Sequence, residues 1–251
     1  MIVEFFALFL SALLGGIAVA LRGALTARVL QLLLVFSGGY LLANTLLHLM
    51  PELFVSNVNP LYIGGCIMIG FFLQRFIETF SRGVEHGHAM APASHHVKHH
   101  KIFSFLSSIA LHALLDGTIL THGHLHAHGH LHAKEGLLLG MMLHKFLEAF
   151  ALMSVLRGFI TSRRRSLLYL VVFSLASPMG LWLSNYANHY IAGCGGMILL
   201  AIVTGNFLYI SATILFEATP GHHSNQVMLW TSLLGASLAA LVEFLLVFFL
   251  N

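Results

Sequence analysis

Three features of the sequence predict an all-α, polytopic membrane protein. Asp, Glu, Lys and Arg make up only 8% of the 251 residues, against 58% hydrophobic, whereas soluble domains carry roughly 25% charged residues. Apolar runs recur along the chain, each near the ~20 residues needed to cross a bilayer as a helix. Backbone groups in hydrocarbon must be satisfied within their own segment, so these runs are read as helices.

Eight spans follow, at about 2–22, 29–50, 58–79, 102–121, 136–156, 166–185, 193–216 and 228–250. The first begins at Ile2 with no basic residue before it and no small-residue cleavage site after it, which reads as a retained helix and not a signal peptide. The second ends in "LLHLMPE" and the sixth contains "SPMGLWLS". Cys66 and Cys194 fall in or beside apolar segments, a placement that suggests neither a disulfide framework nor a thiolate metal cluster. The whole chain, 1–251, is expected to be one transmembrane domain with two longer connections, at 80–101 and 121–135.

Basic residues set the expected orientation. Arg22 and Arg28 flank the first connection, Arg82, Lys98 and Lys101 lie in or beside the third, and Arg157, Arg163, Arg164 and Arg165 fill the fifth. The opposite connections carry only Lys134. By the positive-inside rule the basic side is cytosolic, so both termini are extracytoplasmic, as is the 121–135 connection. The membrane expected is the cell membrane, either plasma or bacterial inner.

"SGGYLLANTLLHLMPE" in the second span is similar to "TGNFLYISATILFEAT" in the seventh, with Gly38 set on Gly205. Those spans cross in opposite senses, so the similarity fits an inverted 3+2+3 arrangement, with spans 1–3 related to spans 6–8. Chance likeness between Leu-rich helices is the alternative. Inverted repeats are a transporter feature, with the substrate expected near the midplane.

The chemistry lies in spans 4 and 5. His112 and Asp116 in "HALLDG" are four residues apart, stacked on one helix face about 6 Å apart along the axis. His144 and Glu148 in "HKFLEA" repeat the spacing. If the two faces meet, they supply two imidazoles and two carboxylates around one point, a site for Zn²⁺ or another divalent first-row metal. An intramembrane His can also be a helix–helix hydrogen-bond donor or part of a proton relay. Buried carboxylates are costly, however, and point to functional sites by default.

These paired motifs, with "LLHLMPE" and "SPMGLWLS", resemble the ZIP (Zrt/Irt-like) metal transporters along the whole chain. The resemblance implies eight spans, both ends outside, and a His-bearing cytosolic loop between spans 3 and 4. It assigns the metal site to His112, Asp116, His144 and Glu148, with Gly117 completing the first motif. It implies a transporter, not an enzyme, with no cofactor: metal is the substrate, Zn²⁺ first and then Fe²⁺, Mn²⁺ or Cd²⁺. Three positions depart from relatives that hold a second, adjacent metal: Ala113, Lys145 and Ser177 each replace a ligand there. The resemblance therefore points to one metal.

Lys145 lies about ten residues from either end of its span, roughly 15 Å, beyond the reach of a snorkelling side chain. It is read as supplying the charge of the missing second cation, with Glu148 and Asp116 as its partners. The alternative is a solvated vestibule with no partner.

His48 and Glu52, four apart at the end of span 2, could form a metal entry site or an interfacial cap. Asn44, Ser108 and Ser211 are read as helix glue, Glu78 and Gln74 as an exit or a solvated helix end, and Asn206 as a pathway candidate. His86, His88, His95, His96, His99 and His100 in one connection, and His122, His124, His126, His128, His130 and His132 in the other, form tracts that bind metals weakly. They are read as accessory metal capture and buffering, or as polar connectors. The partners expected are the metal and the lipid bilayer, with no nucleic acid and with a homodimer open to such a bundle. A reading from another class is an intramembrane zinc-dependent hydrolase acting on lipid.

Overall fold

A computed structural model describes residues 1–22, 26–81, 99–120, 133–160, 162–190, 195–217 and 226–250. Among the described residues there are α-helices and no strand. In chain order they are α1 (Ile2–Arg22), α2 (Ala27–Asn44), α3 (Met50–Val55), α4 (Pro60–Ser81), α5 (His99–Gly117), α6 (Ala133–Phe159), α7 (Arg163–Tyr190), α8 (Gly195–Glu217) and α9 (Gln226–Leu250). A π-helical turn, Thr45–Leu49, joins α2 to α3, so these make one span. Seven stretches are long and apolar enough to cross a membrane, and Phe105–Leu120 of α5 with its following turn is a shorter apolar one. The eight expected spans are thus all helical.

Several ends differ from expectation by a few residues. α5 begins at His99 and α6 at Ala133, so the connections expected at 80–101 and 121–135 are shorter than drawn. The boundary residues there, such as "HHK" and "AKE", contain no breaker, and helix continues past the apolar run. Between α3 and α4 the chain reverses in four residues, with the Asn59 side chain accepting the Leu61 N–H at 2.9 Å.

Two prolines shape the spans. Pro51 has no N–H to offer the preceding turn, and the Met50 N–H bonds back to the Thr45 carbonyl, five residues earlier. This wide turn rotates His48 relative to the residues of α2. Pro178 sits inside α7 and can give the Ser174 carbonyl no helical hydrogen bond.

The principal packing partners are α1 with α6, α2 with α9, α4 with α8, and α5 with α7. Exchanging spans 1–3 with 6–8, and 4 with 5, maps this set onto itself. The crossings are built alike. A Cβ on Gly39 would overlap the Ser232 carbonyl, and one on Gly235 the Phe36 carbonyl. In the α4–α8 crossing the same holds for Gly205 on Ile67 and Gly70 on Ile202. In the α5–α7 crossing it holds for Gly117 on Ser177 and Gly180 on Leu114. The α1–α6 crossing keeps one half of the device, Gly15 on Phe146. Small residues let backbones approach this closely within a bilayer.

These crossings fix the repeat register. Gly39, not Gly38, is the equivalent of Gly205, because the first of the paired glycines faces the Ile214 side chain instead of a backbone. Likeness of side chains alone favoured the neighbouring alignment. Gly180 on Leu114 matches Gly15 on Phe146, which makes His112 equivalent to His144 and Asp116 equivalent to Glu148. α6 is central: 72% of its apolar window is buried, against 17% for α9, whose Leu234, Leu241 and Phe244 face outward.

Candidate metal centre

The site follows from how α5 and α6 are held. Gly117 and Gly180 bring α5 against α7, and Gly15 brings α6 against α1. Between them the His-x-x-x-acid faces of α5 and α6 meet. His112, Asp116, His144 and Glu148 are each no more than 1% exposed. One ligand atom from each lies within 4.8 Å of all the others.

The spacing suits a small cation. A tetrahedral ion with bonds of about 2.1 Å has ligand atoms about 3.4 Å apart. His112 Nε2 lies 3.2 Å from Asp116 Oδ2 and 3.5 Å from Glu148 Oε1, and His144 Nε2 lies 4.0 Å from Glu148 Oε2. The two imidazoles are edge-to-face with centroids 6.2 Å apart. Closing the longest separations needs movements of about an ångström, within reach of side-chain rotation.

Lys145, 1% exposed, enters the same cluster. Its Nζ lies 2.6 Å from Asp116 Oδ2 and 2.6 Å from Glu148 Oε2, so both expected partners are in place. The solvated-vestibule alternative does not fit this burial. One ammonium thus faces two carboxylates, and such a buried pair loses several kcal/mol if one partner is removed. The other two departures from two-metal relatives also meet: the Ser177 hydroxyl donates to the Ala113 carbonyl at 2.7 Å. Asn206 of α8, 2% exposed, donates from Nδ2 to Asp116 Oδ1 at 3.0 Å. It therefore orients the carboxylate from behind.

The second-tier residues divide. His48 and Glu52 are not paired with each other in the structure: His48 Nδ1 is 3.2 Å from Glu243 Oε1 of α9. Glu243 was missed in the sequence, although a lone carboxylate in an apolar span is itself a signal. Glu78 is buried, not at a solvated end. It accepts a close hydrogen bond from the Tyr209 hydroxyl and lies 3.7 Å from Arg75; nothing in the sequence marks Tyr209. Gln74, one turn before it, is fully buried. Ser108 does act between helices, donating to the Ile77 carbonyl at 2.6 Å, whereas Ser211 donates within its own helix to Phe207. Asn44 is buried by the Tyr40 ring and Gly140. His86, His88, His95, His96 and His122 to His132 lie outside the described residues, as do the side chains of His99 and His100.

An all-α polytopic membrane protein with a buried His/carboxylate cluster that fits a divalent metal is the class so defined. Residues 1–104, under half of the chain, match the family model described as ZIP zinc transporter. The match ends ahead of the first cluster residue, His112. No curated protein matches the chain.

Proposed function

We propose that the chain carries a divalent metal, Zn²⁺ first, into the cytosol through a single intramembrane site formed by His112, Asp116, His144 and Glu148. The observation that supports this most directly is the convergence of those four ligands from two helices within 4.8 Å. Two neutral imidazoles and two carboxylates form a borderline set that suits Zn²⁺ and also admits Fe²⁺, Mn²⁺ or Cd²⁺. Lys145 stands in for the second cation of two-metal relatives, and its contacts with both carboxylates support that role. Asn206 positions Asp116.

The basic connections face the cytosol and both termini face outward, in a plasma or bacterial inner membrane, with 1–251 acting as one transport domain. The His-rich connections serve as accessory capture and buffering. The reading is of one chain, and a homodimer has no support among the described residues.

Uptake into proteoliposomes, across a panel of divalent metals, tests the proposal. Wild type should accumulate Zn²⁺, and His144→Ala should not. Lipid turnover in the same vesicles without metal flux would instead favour an intramembrane hydrolase.

A further inference from the structure

Two buried carboxamides lie at the height of the metal centre, on helices that supply none of its four ligands. Gln74 of α4 is fully buried, and neither atom of its amide has a hydrogen-bond partner among the described residues. Asn206 of α8 commits its Nδ2 to Asp116 Oδ1, which leaves its own buried Oδ1 unmet among those residues. Nearly every buried polar group in a folded protein finds a partner, and within a bilayer no bulk water is at hand to supply one. Unmet amide oxygens at this depth mark a place where something binds.

Contacts on either side of Gln74 fix where it points. Toward α8, Gly70 is seated on the Ile202 carbonyl, Gly205 on the Ile67 carbonyl, and Glu78 takes the Tyr209 hydroxyl. Toward α5, the Ile77 carbonyl accepts from the Ser108 hydroxyl. Gln74 is one turn from Gly70 in one direction and one turn from Ile77 and Glu78 in the other. It therefore shares their face, which is the face turned to the junction of α5 and α8. On α8 the contacts of Gly205 and Tyr209 bracket Asn206, so Asn206 lies at the height of Gln74. On α5, which as the next span runs in the opposite sense, three residues on from Ser108 is Leu111, beside His112. That advance of ~4.5 Å matches the step back from Ile77 to Gln74. Helical side chains lean toward the N-terminus of their helix, which tilts Gln74 and Asp116 toward one another. The bond from Asn206 to Asp116, at 3.0 Å, lies in this same junction.

We infer that Gln74, with the Asn206 oxygen beside it, sets which divalent ions the centre accepts, by adding neutral oxygen ligands for ions that need more than four. The inference rests on the metal site proposed above. His112, Asp116, His144 and Glu148 already complete the tetrahedral shell of Zn²⁺, which gains nothing from a fifth ligand. Mn²⁺ prefers oxygen ligands in octahedral array, and two carboxamide oxygens bring four ligands to six. Neither carboxamide carries charge, so the balance of Lys145 against the two carboxylates is untouched.

Calorimetric titration of the full chain in detergent with Zn²⁺ and with Mn²⁺ tests this. Gln74→Leu removes the amide at similar volume. It should weaken Mn²⁺ binding about tenfold, the loss expected for one polar contact to a charged group, and leave Zn²⁺ binding as it is. Gln74→Met keeps the length and unbranched shape of the side chain and carries the test where Gln74→Leu does not fold. The deciding quantity is the ratio of Mn²⁺ to Zn²⁺ affinity: a fall supports the inference, and an unchanged or raised ratio overturns it. A purely structural role for Gln74 would weaken both metals alike and leave that ratio unchanged. Wild type that binds both metals with this dependence on Gln74, yet moves neither into proteoliposomes, overturns the transport reading alone. Wild type that binds neither metal overturns the site and the inference with it.

Discussion

Replacing Lys145 by Met removes the cation from the His/carboxylate cluster while keeping an unbranched side chain one atom shorter. In the structure its ammonium lies 2.6 Å from a carboxylate oxygen of both Asp116 and Glu148. Two unit charges 4 Å apart interact by about 4 kcal/mol at an effective dielectric constant of 20. A divalent ion held by the same oxygens would meet roughly twice that repulsion from an unmoved lysine, so the lysine must yield as metal enters. Without it the two carboxylates face each other uncompensated, a loss of about 3–5 kcal/mol for a broken buried pair. Metal then restores what the lysine gave. Lys145→Met should therefore be less stable without metal, gain more stability from Zn²⁺ than wild type does, and bind Zn²⁺ more tightly. A gain of about 3 kcal/mol corresponds to a factor of over a hundred in the dissociation constant. Release into the cytosol should slow in step, so maximal flux falls and the pH profile of uptake changes. Thermal melts with and without Zn²⁺, set beside proteoliposome flux, measure each part. Unchanged flux together with an unchanged Zn²⁺ response would refute the charge-substitution argument.

Other consequences can be measured with similar tools. Asn206→Ala removes the hydrogen bond to Asp116 Oδ1, and Zn²⁺ binding measured by calorimetry should weaken about tenfold, as expected for a bond to a charged group. Gly235→Val inserts a side chain against the Phe36 carbonyl and should lower the melting temperature of the metal-free protein. Gly64→Ala, where a Cβ meets nothing within 4 Å, should leave the melt unchanged. Deleting 122–132 should raise the apparent KM for metal in flux assays while sparing maximal flux at saturating metal.

Much of the architecture was legible because hydropathy and length act on each span separately. So was the His/carboxylate cluster, since the His-x-x-x-acid spacing places both groups on one face of a helix, whatever that helix packs against. What escaped the sequence depends on pairs of helices. Asn206 was only a pathway candidate, because its reach to Asp116 is set by where α8 crosses, not by its own span. His48 looked like the neighbour of Glu52, until the turn caused by Pro51 directed it to Glu243. The repeat register slipped by one residue because Gly38 and Gly39 are alike in sequence, and only packing tells which one touches backbone. Helix ends ran past the apolar stretches, since hydropathy marks where oil stops and not where hydrogen bonding does.

Beside the cluster the equivalence of α5 and α6 is broken by a charge. Lys145 occupies the position that Ala113 occupies in the related helix. Were the two halves identical, the forms open to either end would be related by a two-fold rotation and equal in energy. A single tethered cation, anchored to α6 alone, lifts that degeneracy. On the transport reading proposed above, the empty protein then has a preferred resting side, and its response to membrane voltage is expected to differ with the sign of that voltage.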